Sequence, residues 1–81
     1  MFCVYVLKSE KSGRHYIGST EDIVERLIIH NSNKVTSTKN KGPWKLLYIE
    51  NFDTREQAVT REREIKSYKG GNSFKKLILA G

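Results

Sequence analysis

The chain has 81 residues, 37% of them hydrophobic, with 15 Lys and Arg against nine Asp and Glu and a formal charge of +6. That length fits one small domain, residues 1–81, and the charge suits either a polyanionic partner such as nucleic acid or a basic solvated surface. Cys3 is the single cysteine, which excludes an intrachain disulfide and a cysteine-cluster zinc site. No apolar run approaches the ~20 residues of a membrane helix and no signal-peptide pattern is visible, so a soluble cytoplasmic protein is the expectation.

In chain order, Phe2-Cys3-Val4-Tyr5-Val6-Leu7 is apolar, β-branched and aromatic, and predicts a buried strand with Cys3 in the core. The polar residues 9–13 form a turn, and Arg14 to Gly18 returns as a second strand of a hairpin. Gly18 is where the chain is expected to bend into a helix. Ser19 with Asp22 three residues on reads as a capping box, opening a helix from about Thr20 to His30. Residues 31–42 contain Val35 as their only hydrophobic residue and carry Lys34, Lys39 and Lys41, which predicts a weakly structured basic loop. Pro43 introduces a third strand, Trp44 to Asn51, with Trp44 expected in the core. Thr54 with Gln57 caps a longer helix reaching about Tyr68. Gly70-Gly71 breaks it, and Asn72 or Ser73 can cap a last helix bearing Phe74, Leu77 and Ile78. The order ββα-β-αα predicts an α+β fold, a small three-stranded antiparallel sheet flanked by helices.

The helical faces raise the question of chemistry. At 100° per residue, Ile23, Val24, Leu27 and Ile28 make one stripe expected to face the sheet, with Ile29 outward. Arg26 and His30, four apart, stack along its flank. On the second long helix the stripe is Ala58, Val59 and Ile65, and Glu62 falls at its centre. An inward carboxylate is costly unless it is paired, hydrogen-bonded or bound to a metal. Pairing with Arg26 or a lysine and a functional carboxylate are equal alternatives on this ground. Tyr5 and Tyr16 lie on paired strands, and alternation allows both on one face. Together with Arg26, His30 and Glu62 they would supply two phenols, a guanidinium, an imidazole and a carboxylate. Phosphodiester hydrolysis needs such groups to neutralise phosphate, take a proton from water and hold a cation.

Val4-Tyr5 and Tyr16-Ile17-Gly18 resemble the two halves of the GIY-YIG nuclease signature. Arg26, His30-Asn31 and Ala58-Val59-Thr60-Arg61-Glu62 stand where that family has its arginine, histidine and catalytic glutamate. The resemblance spans residues 2–79 and is strongest to small stand-alone members similar to the N-terminal nuclease domain found in excinuclease. The first triplet departs from the pattern, being Cys3-Val4-Tyr5, but keeps the tyrosine. The resemblance implies a DNA endonuclease, structure-selective or weakly sequence-selective, with one divalent cation (Mg²⁺ or Mn²⁺) on Glu62. It implies that Tyr5 or Tyr16 activates water, Arg26 stabilises the phosphate, and His30 supports the tyrosine or the phosphate. The substrate would be DNA, branched or with single-stranded parts, and a protein partner could supply target recognition.

Lys34, Lys39, Lys41 and Lys45, beside Trp44, could track a nucleic-acid backbone. The alternative function is a non-catalytic nucleic-acid-binding module on a degenerate nuclease scaffold. A pure binder, however, has no need of an inward carboxylate that repels phosphate.

Overall fold

The computed structural model describes residues 1–32, 43–69 and 71–80. Its elements are β1 (Phe2–Ser9), β2 (His15–Thr20), α1 (Ile23–Asn31), β3 (Trp44–Phe52), α2 (Arg55–Ser67) and α3 (Asn72–Ala80). The sheet is antiparallel in the order β2-β1-β3, so the most apolar strand is also the central one. Cys3, Val4, Tyr5, Val6 and Leu7 are all buried. An uninterrupted apolar run of that kind marks a strand covered on both faces, and alternation divides it between two cores. Val4 and Val6 pack with Ala58 and Ile65 of α2 and Phe74 of α3. Tyr5 and Leu7 pack with Trp44, Tyr16, Leu46 and, from α1, Ile23 and Leu27. The molecule is therefore three layers thick, with α1 on one side of the sheet and α2 with α3 on the other.

The hairpin turn is closed by Ser9 N donating to Arg14 O at 2.8 Å and by Gly13 N donating to Ser9 O at 2.9 Å. Gly13 has φ 76°, a left-handed conformation that glycine adopts without penalty. This turn sets the register, pairing Tyr5 with Gly18 and Leu7 with Tyr16. On the other edge a bulge falls between Val6 and Leu7, which pair with Tyr48 and Leu46.

Three local expectations change. Ser19 does not cap α1: β2 continues to Thr20, and Ser19 lies in its ladder opposite Val4. The N-cap is Asp22, whose carboxylate accepts from Glu25 N at 3.1 Å. Gly18 is accordingly not a bend into the helix but an extended ladder residue. The packed face of α1 is also rotated from the expected one. Val24 and Ile28 are 67% and 63% exposed, whereas Ile23 and Leu27 pack inward, Ile29 is half-buried and His30 is buried. Hydrophobicity alone weighs the four aliphatic residues equally; in the roll observed, Ile23 and Leu27 pack on the sheet and His30 is turned in to meet Tyr5.

α2 begins as expected, with Thr54 and Gln57 forming a reciprocal capping box. Phe74 anchors α3 in the core, and Leu77 and Ile78 pack beside it. Trp44 is buried at the start of β3, held by Asn31 at the end of α1. Trp44 N donates to Asn31 Oδ1 at 2.6 Å, and Asn31 Nδ2 donates to Trp44 O at 3.3 Å. The basic loop, residues 33–42, lies outside the described residues and with it Lys34, Lys39 and Lys41.

Candidate active site

The site is built around one missing side chain. Tyr5 on the central strand lies across Gly18 of the edge strand, its register partner. A Cβ at Gly18 would stand 2.6 Å from Tyr5 Oη, 2.8 Å from its Cζ and 3.2 Å from Tyr16 Cε1. No other residue leaves room for the phenol there. Tyr16, diagonal to Tyr5 on the same face, brings its ring to 6.3 Å from the Tyr5 ring, with 29° between the planes. This is the shared face that alternation allowed.

α1 closes the cluster with His30, whose ring lies 4.7 Å from that of Tyr16 and 6.0 Å, edge-on, from that of Tyr5. His30 Nε2 and Tyr5 Oη are 3.1 Å apart. Both groups are sealed from water, with His30 1% and Tyr5 2% exposed. Burial, with Arg26 adding to it, holds the His30 imidazole below its ordinary range. Burial also pushes the Tyr5 phenol well above its usual value, and the nearby Tyr16 and Glu62 add to this while Arg26 opposes it. The pair therefore consists of a neutral imidazole and a protonated phenol.

Glu62 approaches from the opposite layer. Ser19, one residue beyond Gly18 and facing α2, donates its hydroxyl to Glu62 Oε1 at 2.7 Å. Lys66, one turn along α2, donates to Oε2 at 2.6 Å. The Glu62 side chain is 19% exposed. Of the two partners open to it on sequence grounds, Arg26 or a lysine, the ion pair is with a lysine, Lys66. Strand β2 is thus where the two layers meet, since successive residues point to opposite faces. Tyr16 and Gly18 belong to the face that carries α1, and Ser19 to the face that carries α2. Arg26 lines a cleft of about 380 Å³ beside this edge, with Ser19, Asp22 and Arg55 among its walls.

The predicted residues are therefore placed in four ways. Tyr5, Tyr16 and His30 touch one another; Glu62 is fixed to the same strand through Ser19, and Arg26 lines the adjoining cleft. Lys45 is exposed on β3 next to Trp44. Among the described residues, no three His, Cys, Asp or Glu side chains form a group that could hold a metal ion. Sequence reasoning missed the spatial role of Gly18, the bond from Ser19 and the Asn31 clamp. It also passed over Lys66, although Glu62 and Lys66 stand at the helical i,i+4 spacing that favours an ion pair.

The model of the GIY-YIG catalytic domain matches residues 1–75 of this sequence. The chain belongs to the GIY-YIG family. It is a nuclease family, and the three-stranded sheet with helices in the order ββαβαα is its fold. Among GIY-YIG relatives, a UPF0213 protein of Staphylococcus saprophyticus is 41% identical over 66 residues, covering 80% of this chain and 79% of that protein. A UPF0213 protein of Streptococcus pneumoniae is 40% identical over 67 residues, covering 82% of this chain and 67% of that protein. The fold is similar to the solution NMR structure of the UPF0213 protein from Bacillus halodurans. That likeness has a TM-score of 0.55 at 29% identity and covers 99% of this chain and 84% of that one.

Proposed function

We propose that this GIY-YIG protein is a metal-dependent endonuclease that hydrolyses phosphodiester bonds in DNA, acting in the cytoplasm on branched or partly single-stranded substrates. The observation that carries this reading is the convergence on β2 of a phenol–imidazole cluster from one face and an oriented carboxylate from the other. Neither a basic surface nor a packed core calls for that combination.

The roles follow from the surroundings of each group. Tyr5 is buried, bonded to His30 and disfavoured as an anion, so it orients the imidazole. Tyr16 is half-buried on the edge strand, and its hydroxyl is the one to take a proton from water. The neutral imidazole packed against it is the neighbouring base for the phenol's own proton. Arg26, at the wall of the cleft, neutralises the phosphate. Glu62 suits one hard divalent cation such as Mg²⁺ or Mn²⁺, which characteristically takes one or two carboxylates and completes its shell with water and phosphate oxygens. Held there by Glu62, such a cation would supply polarisation of the phosphate and support for the leaving oxygen. The lysines at 34, 39, 41 and 45 supply backbone attraction, and a partner protein would add target choice.

The test is cleavage of branched, flapped, nicked and plain duplex DNA with Mg²⁺, Mn²⁺ or a chelator, using Tyr16→Phe and Tyr5→Phe beside the parent. Cation-dependent cutting is expected. Tyr16→Phe should lose a factor of about 10²–10⁴ in rate, the usual worth of a positioned acid or base, and Tyr5→Phe should lose less. Equal rates for Tyr16→Phe and the parent would remove Tyr16 from the chemistry. A parent that cuts nothing but binds DNA would favour the non-catalytic binding module.

A further inference from the structure

The Glu62 carboxylate is held by two donors that differ in how easily they can be moved. Ser19 Oγ donates to Oε1 at 2.7 Å from a half-buried residue of the β1–β2 ladder. Its side chain is short and rooted in the ladder, so a single χ1 rotation is all that must be fixed to keep the hydroxyl on Glu62. Lys66 Nζ holds Oε2 at 2.6 Å, but its side chain is 54% exposed and hangs on a flexible four-carbon stem. Exposed pairs of this kind contribute little to stability. Lys66 also brings a positive charge to the oxygen that a cation would need, whereas Ser19 leaves the carboxylate charge intact.

We infer that Ser19 is a positioning residue that orients the Glu62 carboxylate toward a divalent cation, and that Lys66 is a place-holding counter-ion which that cation displaces. The inference rests on the reading of Glu62 as the cation ligand. A carboxylate left free to rotate loses part of its affinity, as happens when groups that orient metal ligands are removed. A lysine at the same oxygen competes with the cation directly. The contrasting possibility is that both bonds only fasten α2 in place. They would then matter for unfolding and not for cation affinity.

The experiment is a titration of the DNA-free protein with Mn²⁺, free ion being measured by electron paramagnetic resonance, alongside thermal midpoints. Ser19→Ala should weaken Mn²⁺ binding by about tenfold, and Ser19→Thr, which restores a hydroxyl, should bring it back toward the parental value. Lys66→Met keeps the stem, removes the charge and should bind Mn²⁺ several times more tightly. Parental binding by Ser19→Ala, with Glu62→Gln having lost it, would overturn the positioning role. Binding by Lys66→Met no tighter than the parent's would overturn the place-holder. Parental binding by Glu62→Gln would instead overturn the ligand assignment itself, a separate outcome. If Ser19→Ala failed to fold, Ser19→Cys, similar in size and a weak donor, would carry the same comparison.

Discussion

Gly18 and His30 show how much of the site hangs on single residues. In Gly18→Ala the new methyl would stand 2.6 Å from Tyr5 Oη, so the phenol must shift and its 3.1 Å bond to His30 must open. A loss of about 1–3 kcal/mol in urea unfolding is expected, the usual cost of overpacking a core. Adding Tyr5→Phe should relieve only part of it, because Cζ, which stays, is itself 2.8 Å from that methyl. His30 predicts a pH dependence whose sign is fixed by its lowered value. Unfolded, the imidazole titrates near 6.5; folded, among Tyr5, Tyr16 and the charge of Arg26, it titrates lower. Between those two values the unfolded chain holds the extra proton, so stability falls as pH drops below about 6.5 and is unaffected well above it. His30→Gln should flatten that acid-side fall in thermal midpoint. A residual slope is expected from His15, also lowered by burial. An unchanged slope would show that His30 does not titrate on unfolding.

At the scale of elements, the orientation of α2 decides whether Glu62 reaches β2 at all. Its opposite flank is tied to β3, where Arg61 Nε lies 3.2 Å from Glu50 Oε1 and Tyr48 donates to Glu50 Oε2 at 2.6 Å. Arg61 also pairs with Glu64, which accepts from Tyr68 at 3.0 Å. Of these, the Arg61–Glu50 pair ties α2 to β3, while the Ser19 bond holds Glu62 to β2. The helix ends under strain, since Lys69 has φ 51°. A side chain there costs about 1–2 kcal/mol, partly offset by the lower unfolded-state entropy of a non-glycine residue. Lys69→Gly should therefore gain roughly 0.5–1 kcal/mol in urea unfolding without altering the site. A loss of stability would show that the Lys69 side chain makes contacts worth more than the strain.

Over the whole molecule, the +6 charge is what the DNA of the proposed function would meet first. Affinity should fall steeply with salt as counterions are released. Replacing Lys39 and Lys41 with alanine should flatten the plot of log affinity against log salt by up to about two units, roughly one per phosphate contact. An unchanged slope would place the DNA on another surface. No described helix is long and apolar enough to cross a membrane.

The order of elements was legible in the sequence because it is set locally. An apolar β-branched run, a polar turn with glycine, and the Thr54–Gln57 cap each act over a few residues. The family was legible too, since Tyr5, Tyr16-Ile17-Gly18, Arg26 and Glu62 fall in the right order at the right spacing. Only the tertiary structure decided what depends on register and roll. Ser19 reads as a helix cap from its spacing to Asp22, yet two further ladder pairs carry β2 past Gly18 and turn Ser19 toward Glu62. Val24 and Ile28 read as core, yet α1 is rolled so that they face solvent while His30 is buried against Tyr5. Periodicity says that a face exists. Which face is buried depends on partners far away in the chain, and those are fixed only when the sheet and both helical layers close together.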